Sequence, residues 1–227
     1  MAIYDINGNA LSSGSTSELQ GGTWLAMGDS IAQYMKDAGW LGVAKEKLGL
    51  AEYFSYAGAG STWEVLSDRG GVFPQYERLK ADVINGICKP TIITVALGTN
   101  GGTLGEFWED EENHVENKDT STIVGAMHTF LQDLVTTFDV AKVRIGGIIP
   151  PQAGGRNPEK NGGYKARNEM IRRVYEYYAI PYLDLEKEGY ILDGSIVDNG
   201  TLGDGLHPSA KGNEVYIRRL CGWLPTL

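Results

Sequence analysis

The chain has 227 residues, 42% of them hydrophobic, which is enough for a sizeable core and argues against disorder. Its formal charge is −9, from 20 basic and 29 acidic residues. That balance excludes nucleic acid and anionic membrane surfaces as main partners, because both need a positive field.

Residues 1–11 alternate weakly and hold Asn7-Gly8, a favoured hairpin-turn pair. Residues 12–22, "SSGSTSELQGG", are small and polar and read as a linker. Residues 1–22 are therefore expected to form an arm and linker, and residues 23–227 the main domain. The arm makes attachment to an oligomer or larger assembly conceivable. The N-terminus has no basic segment leading into an apolar run, so no secretory signal is read there. No run of about 18 apolar residues exists, so no membrane insertion is expected. On this reading the chain is cytoplasmic, or part of a larger or mature exported protein.

From Thr23 the pattern changes. "TWLAM" is a short apolar run ending at Gly28-Asp29-Ser30. Residues 39–50 have helical spacing, and 52–58 are aromatic and strand-like. Residues 73–88 are amphipathic at helical period. "PTIITVALG" (90–98) is β-branched and nearly all apolar, as a strand buried on both faces should be. Residues 120–139 read as a long helix, 142–151 as a buried strand, 165–179 as a helix, 180–185 as a short strand and 213–224 as a closing helix. Strands alternating with helices predict an α/β protein. The expected form is a three-layer α/β/α sandwich around a parallel sheet of about five strands. Residues 101–120, acidic and aromatic, and 151–163, rich in Gly, Pro and Asn, fit no element and read as loops that line or cover a site.

In such sheets, reactive residues gather at the carboxyl ends of the strands. Four stretches fall there: Gly28-Asp29-Ser30, "YAGAGST", "ALGTNGG" and "GDGLHPSAKG". Serine acyl transfer needs a base in hydrogen-bond reach of the hydroxyl, a group that fixes the base's tautomer, and preorganised donors for the oxyanion. "DGLHP" places Asp204 and His207 three apart on one turn, so one loop can supply base and orienter. Glycines in the second stretch let a backbone N–H approach a substrate, and Asn100 carries an amide donor at the end of a buried strand.

With these stretches in this order, the sequence resembles the SGNH (GDSL-type) hydrolase superfamily. The resemblance spans residues 23–224, with "GDSI" as the first block, Gly60 in the second, Asn100 in the third and D-x-x-H-P as the last. It implies Ser30 as nucleophile, His207 as base and Asp204 as orienter. The oxyanion donors would be the N–H groups of Ser30 and Gly60 and the Asn100 amide. The fold implied is the same α/β/α sandwich, flavodoxin-like in outline. Two departures stand out. The third block of the family usually reads G-x-N-D, whereas Gly101 follows Asn100 here, which bears on how the loop is braced. The second block often carries an Asn before its glycine, where Ser55 and Tyr56 lie here, and this leaves Gly58 as an alternative to the preferred Gly60.

Plainer readings stand beside these. Ser30 is also a good helix N-cap, Asn100-Gly101 a good turn pair, and Asp204 a good Asx-turn former. His114 reads as solvated, with metal binding a minor alternative, and His128 as structural. Cys88 and Cys221 read as buried free thiols. Residues 58–63 superficially match a dinucleotide loop, but Trp63 stands where its third glycine is needed. No Walker loop and no cysteine-histidine zinc spacing occurs, so no cofactor and no metal is expected. The expected function is a serine esterase acting on short-chain, acetyl-type esters of small molecules or glycans. Polar loops carrying Trp63, Phe107 and Trp108 favour a sugar. The alternatives are a lipase- or thioesterase-type acyl hydrolase, and a non-catalytic carbohydrate-binding or adhesin module.

Overall fold

A computed structural model describes residues 3–4, 10–11, 19–66, 71–151, 164–191 and 199–227. Five parallel strands form the central sheet: β3 (Thr23–Gly28), β4 (Glu52–Ser55), β5 (Ile92–Ala96), β8 (Arg144–Ile149) and β9 (Tyr182–Asp184), in the order β4-β3-β5-β8-β9. The three central strands are almost wholly buried, whereas the edge strand β4 is not. That is why the central strands read as unbroken apolar runs. The chain leaves β3 for β4 on one side and then crosses to β5 on the other. The carboxyl ends of β3 and β5 therefore flank the switch point where open α/β sheets hold their sites.

Alternate residues of each strand feed two separate cores. Leu25, Met27, Ile93, Val95 and Ile149 pack with α3 (Val72–Ile84), α4 (Ile123–Thr137) and α5 (Tyr164–Tyr177). Trp24, Ala26, Ile92 and Ile148 pack on the other face with α1 (Ser30–Asp37), α2 (Trp40–Leu48) and α7 (Ala210–Trp223). Trp24 ties the strands laterally, its indole N–H donating to Thr94 Oγ1 at 2.9 Å inside the core. On β8 the glycine pair Gly146-Gly147 thins the sheet on both sides at once. A Cβ on Gly147 would lie 2.2 Å from the Tyr175 ring of α5, and one on Gly146 2.5 Å from the Trp223 ring of α7. Each ring rests directly on backbone, which no larger residue permits.

One expectation needs correction. Residues 101–120 are not without structure, because β6 (Trp108–Asp110) and β7 (Val115–Glu116) pair antiparallel there. Phe107 and Trp108 stack edge-on against Tyr177 and anchor that hairpin on α5. A short helix, α6 (Leu185–Glu188), follows β9 and is capped by Asp184. Near the N-terminus, β1 (Ile3–Tyr4) pairs antiparallel with β2 (Ala10–Leu11). The Asn7-Gly8 turn, linker residues 12–18 and residues 152–163 lie outside the described residues.

Candidate active site

The run of β3 stops at Gly28, and Asp29 caps the helix that follows. Its Oδ1 accepts the Ile31 N–H at 3.0 Å. The cap is thus Asp29 rather than Ser30, and Ser30 becomes the first helical residue. Its backbone N–H belongs to the first turn, where helices offer no internal acceptor. Its hydroxyl, freed from capping, lies 3.0 Å from His207 Nε2.

His207 reaches Ser30 from a turn just before α7, across 177 positions of sequence. Its Nδ1 stands 2.9 Å from Asp204 Oδ2. A carboxylate accepts only, so Nδ1 carries the ring proton and Nε2 is left to accept from Ser30. Asp204 Oδ1 also accepts the backbone N–H groups of His207 at 2.7 Å and Leu206 at 3.0 Å. The Asx-turn and the orienting carboxylate are therefore one and the same residue. These contacts, the His207 N–H foremost and its ring next, hold the Asp204 carboxyl well below the usual carboxylate range.

Two further loops meet the turn that carries the serine. After β4, Gly58 N–H donates to Gly28 O at 3.0 Å, which occupies that donor. Gly60 adopts φ +73°, and among the described residues its N–H has no acceptor. After β5, Asn100 Nδ2 donates to Ser61 O at 3.2 Å. An amide NH₂ has two hydrogens, so one is fixed on Ser61 and the other remains available. Ser30, His207, Asp204, Gly60 and Asn100 thus converge from four separate loops at one edge of the sheet.

A model of the GDSL-like lipase/acylhydrolase family matches residues 26–215. The chain belongs to that family. The acylhydrolase is a carboxylic ester hydrolase with the three-layer fold of its relatives. A Lactobacillus plantarum protein of known structure shares 19% identity at a TM-score of 0.69, over 92% of this chain and 99% of its own. An Enterococcus faecalis lipase/acylhydrolase shares 19% at 0.59, over 90% and 95%. An acetyl xylan esterase shares 16% at 0.60, over 89% and 99%. No curated protein matches the sequence.

The acylhydrolase surrounds its serine with polar groups that are buried and therefore hidden from a reading of sequence pattern. Asp29 is 1% exposed, and burial, opposed by the N–H groups of Ile31 and Thr99, pushes its carboxyl up to about 6. Gln75, buried on α3, grips the turn that carries Ser30. Its Oε1 accepts Gly28 N–H at 3.0 Å, while Nε2 donates to Gly28 O at 2.8 Å and Ser61 Oγ at 2.9 Å. Arg167, wholly buried on α5, donates to Gly98 O at 2.9 Å, Thr99 O at 3.0 Å and Gly101 O at 2.9 Å. Helical spacing marks the inward face of these helices, but no pattern distinguishes a buried Gln or Arg from a solvated one.

A groove of about 460 Å³ flanks His207, lined by Tyr34, Trp40, Asp204, Pro208, Ser209 and Asn213 among others. Two of the rings expected to face a substrate do not, since Trp63 and Phe107 are buried in the core. Trp108 is half-buried in the hairpin cluster against His114 and Tyr177. His128 is buried, with Nδ1 on the Tyr178 hydroxyl at 3.0 Å, a structural role. His114 is exposed, and the described residues contain no cluster able to hold a metal ion.

Proposed function

We propose that the protein is a serine esterase that cleaves short acyl groups, acetyl above all, from carbohydrate esters through an acyl-serine intermediate. The observation that carries the mechanism is the continuous relay Ser30 Oγ–His207 Nε2, 3.0 Å, and His207 Nδ1–Asp204 Oδ2, 2.9 Å. Ser30 Oγ attacks the ester carbonyl as Nε2 takes its proton, and Asp204 stabilises the imidazolium that forms. The N–H groups of Ser30 and Gly60 and the free hydrogen of the Asn100 amide receive the oxyanion. His207 then protonates the departing alcohol, and water activated by the same nitrogen releases the acid.

For the substrate, the support comes from the groove beside His207. The leaving alcohol has to approach Nε2 to be protonated, so its body lies on the His207 side. There the exposed Tyr34 ring and the Trp40 ring stand among Asp204, Ser209 and Asn213. Rings beside polar groups suit a sugar alcohol. The likeness to an acetyl xylan esterase fold agrees with this reading.

Ser30→Ala is expected to abolish hydrolysis of p-nitrophenyl acetate, by about 10³-fold or more, with an unchanged circular dichroism spectrum. Full retained activity would remove Ser30 from the mechanism. A fluorophosphonate probe should label Ser30, whereas a pure binding module would stay unlabelled. Acetate release from a panel of acetylated glycans tests the substrate class, and a preference for octanoyl over acetyl esters would overturn it.

A further inference from the structure

The family's third block ordinarily places a carboxylate directly after its asparagine, and here that position is Gly101. The structure puts a different carboxylate in the same space. A Cβ on Gly101 would lie 2.5 Å from Glu64 Oε1 and 2.6 Å from Oε2, and the backbone there has φ +109°, a conformation side chains rarely adopt. Glu64 is 1% exposed and arrives from the loop that carries Gly60 and Ser61. Its Oε1 accepts the Gly102 N–H at 2.7 Å. From α5, Arg167 gathers the carbonyls of Gly98, Thr99 and Gly101 in the same loop. Two buried, opposite charges thus clamp the backbone that bears Asn100, one through an N–H group and the other through carbonyls.

Burying a carboxylate is costly, and neither core packing nor solubility calls for one here. Among the described residues Oε2 has no hydrogen-bond partner, so Glu64 is held by a single bond and by the charge of Arg167. Its one bond falls two residues from Asn100.

We propose that Glu64 is a positioning residue for Asn100. Its carboxylate, supplied from the second loop, replaces the missing carboxylate of the third and fixes residues 98–102 against Arg167, so that the free hydrogen of the Asn100 amide points at the oxyanion. The inference rests on the reading of Asn100 as an oxyanion donor. Gly101 is the counterpart of the exchange, since any side chain there would displace Glu64.

A double-mutant cycle on kcat for p-nitrophenyl acetate tests this, run well below each variant's melting temperature. Asn100→Ala is expected to lower kcat about 10²-fold, the order of one lost oxyanion donor, with KM within about twofold. Glu64→Ala is expected to lower kcat about tenfold or more, again with KM little changed. The double variant should fall within about threefold of Asn100→Ala alone, because Glu64 acts through Asn100. Glu64→Gln, which keeps an acceptor on the Gly102 N–H, should retain kcat within about threefold even where its melting temperature drops. If Glu64→Ala does not fold, Glu64→Asp takes its place in the cycle, keeping the charge but withdrawing from Gly102. Losses that multiply in the double variant, or a Glu64→Ala enzyme with wild-type kcat and a lowered melting temperature, overturn the proposal and leave a stability role. An unchanged kcat in Asn100→Ala alone overturns the oxyanion reading, and this proposal with it.

Discussion

Asp29 sits directly before Ser30 and carries a testable energetic cost. Two effects oppose each other there. The helix N-terminus and the N–H groups of Ile31 and Thr99, at 3.0 and 3.4 Å, favour the ionised carboxylate. Near-complete burial against Ile31, Ala96, Ile148 and Tyr216 favours the neutral acid. A helix terminus contributes about 0.3–1 kcal/mol, rising to about 2 in partly buried sites, whereas desolvating a carboxylate costs several. Burial wins, and the carboxyl moves from its ordinary 3.8 to about 6. The folded state therefore holds this proton more tightly than the unfolded chain does. Its contribution to stability is complete below 3.8 and disappears as pH rises through 6. At 1.36 kcal/mol per pH unit the whole effect is about 3 kcal/mol. Asp29→Asn caps a helix as well as Asp does and has no proton to lose. The variant's stability advantage over wild type should grow by about 2 kcal/mol between about pH 4.5 and about pH 7.5. Urea unfolding of both proteins across that range measures the difference, and groups other than Asp29 largely cancel in the subtraction. A difference that stays flat, or shrinks as pH rises, would refute the reasoning.

Gly147→Ala drives a methyl group into the Tyr175 ring and should cost at least about 1–3 kcal/mol in urea unfolding. Gly42→Ala, within α2 and with open space around the new methyl, should instead stabilise by about 0.4–1 kcal/mol in the same assay. Gln75→Leu leaves the Gly28 N–H and the Ser61 hydroxyl without the Gln75 amide and takes one of two donors from Gly28 O, which keeps the Gly58 N–H. It should lower stability by about 2–4 kcal/mol and reduce kcat for p-nitrophenyl acetate together with it. Arg172 donates to both oxygens of Asp184, at 2.6 and 3.2 Å, and to Glu186, all largely buried. Arg172→Met removes the cation shared by these two buried carboxylates, and thermal and urea unfolding should register a loss of about 3–5 kcal/mol.

The sheet was legible because parallel strands buried on both faces write themselves as apolar runs, as in "TWLAM" and "PTIITVALG". The grouping of Ser30, His207 and Asp204 in the candidate site was legible because serine chemistry needs particular residue types, and the sheet rule says where to look for them. The hairpin at 108–116 was not, because its strands are three and two residues long and hold Glu109, Asp110 and Glu116. Such short acidic stretches show no alternation, and the aromatic contacts with α5 that anchor them come from far away in sequence. Glu64, Gln75 and Arg167 were missed for a different reason. In sequence they look like the solvated face of a loop or helix, and only tertiary packing reveals that each is buried to hold backbone. The sugar-facing rings were misjudged likewise, since an aromatic residue near a loop is as ready to enter the core, as Trp63 does, as to line a groove.

The 177-residue separation between Ser30 and His207 has a consequence for how activity arises. The loops that carry Ser30, Gly60 and Asn100 follow the first three strands of the central sheet, so all three residues are synthesised long before the proposed base. The base joins them late, because closing so long a loop waits on docking of α7 over the finished sheet. At ribosomal speeds of about 5–20 residues per second, a nascent chain spends about ten seconds or more with Ser30 made and His207 not yet made. On the proposed mechanism, hydrolytic competence is therefore a late event in this protein's life. Turnover of a chromogenic ester reports completion of the whole fold rather than of any part, and it can time the last step of folding.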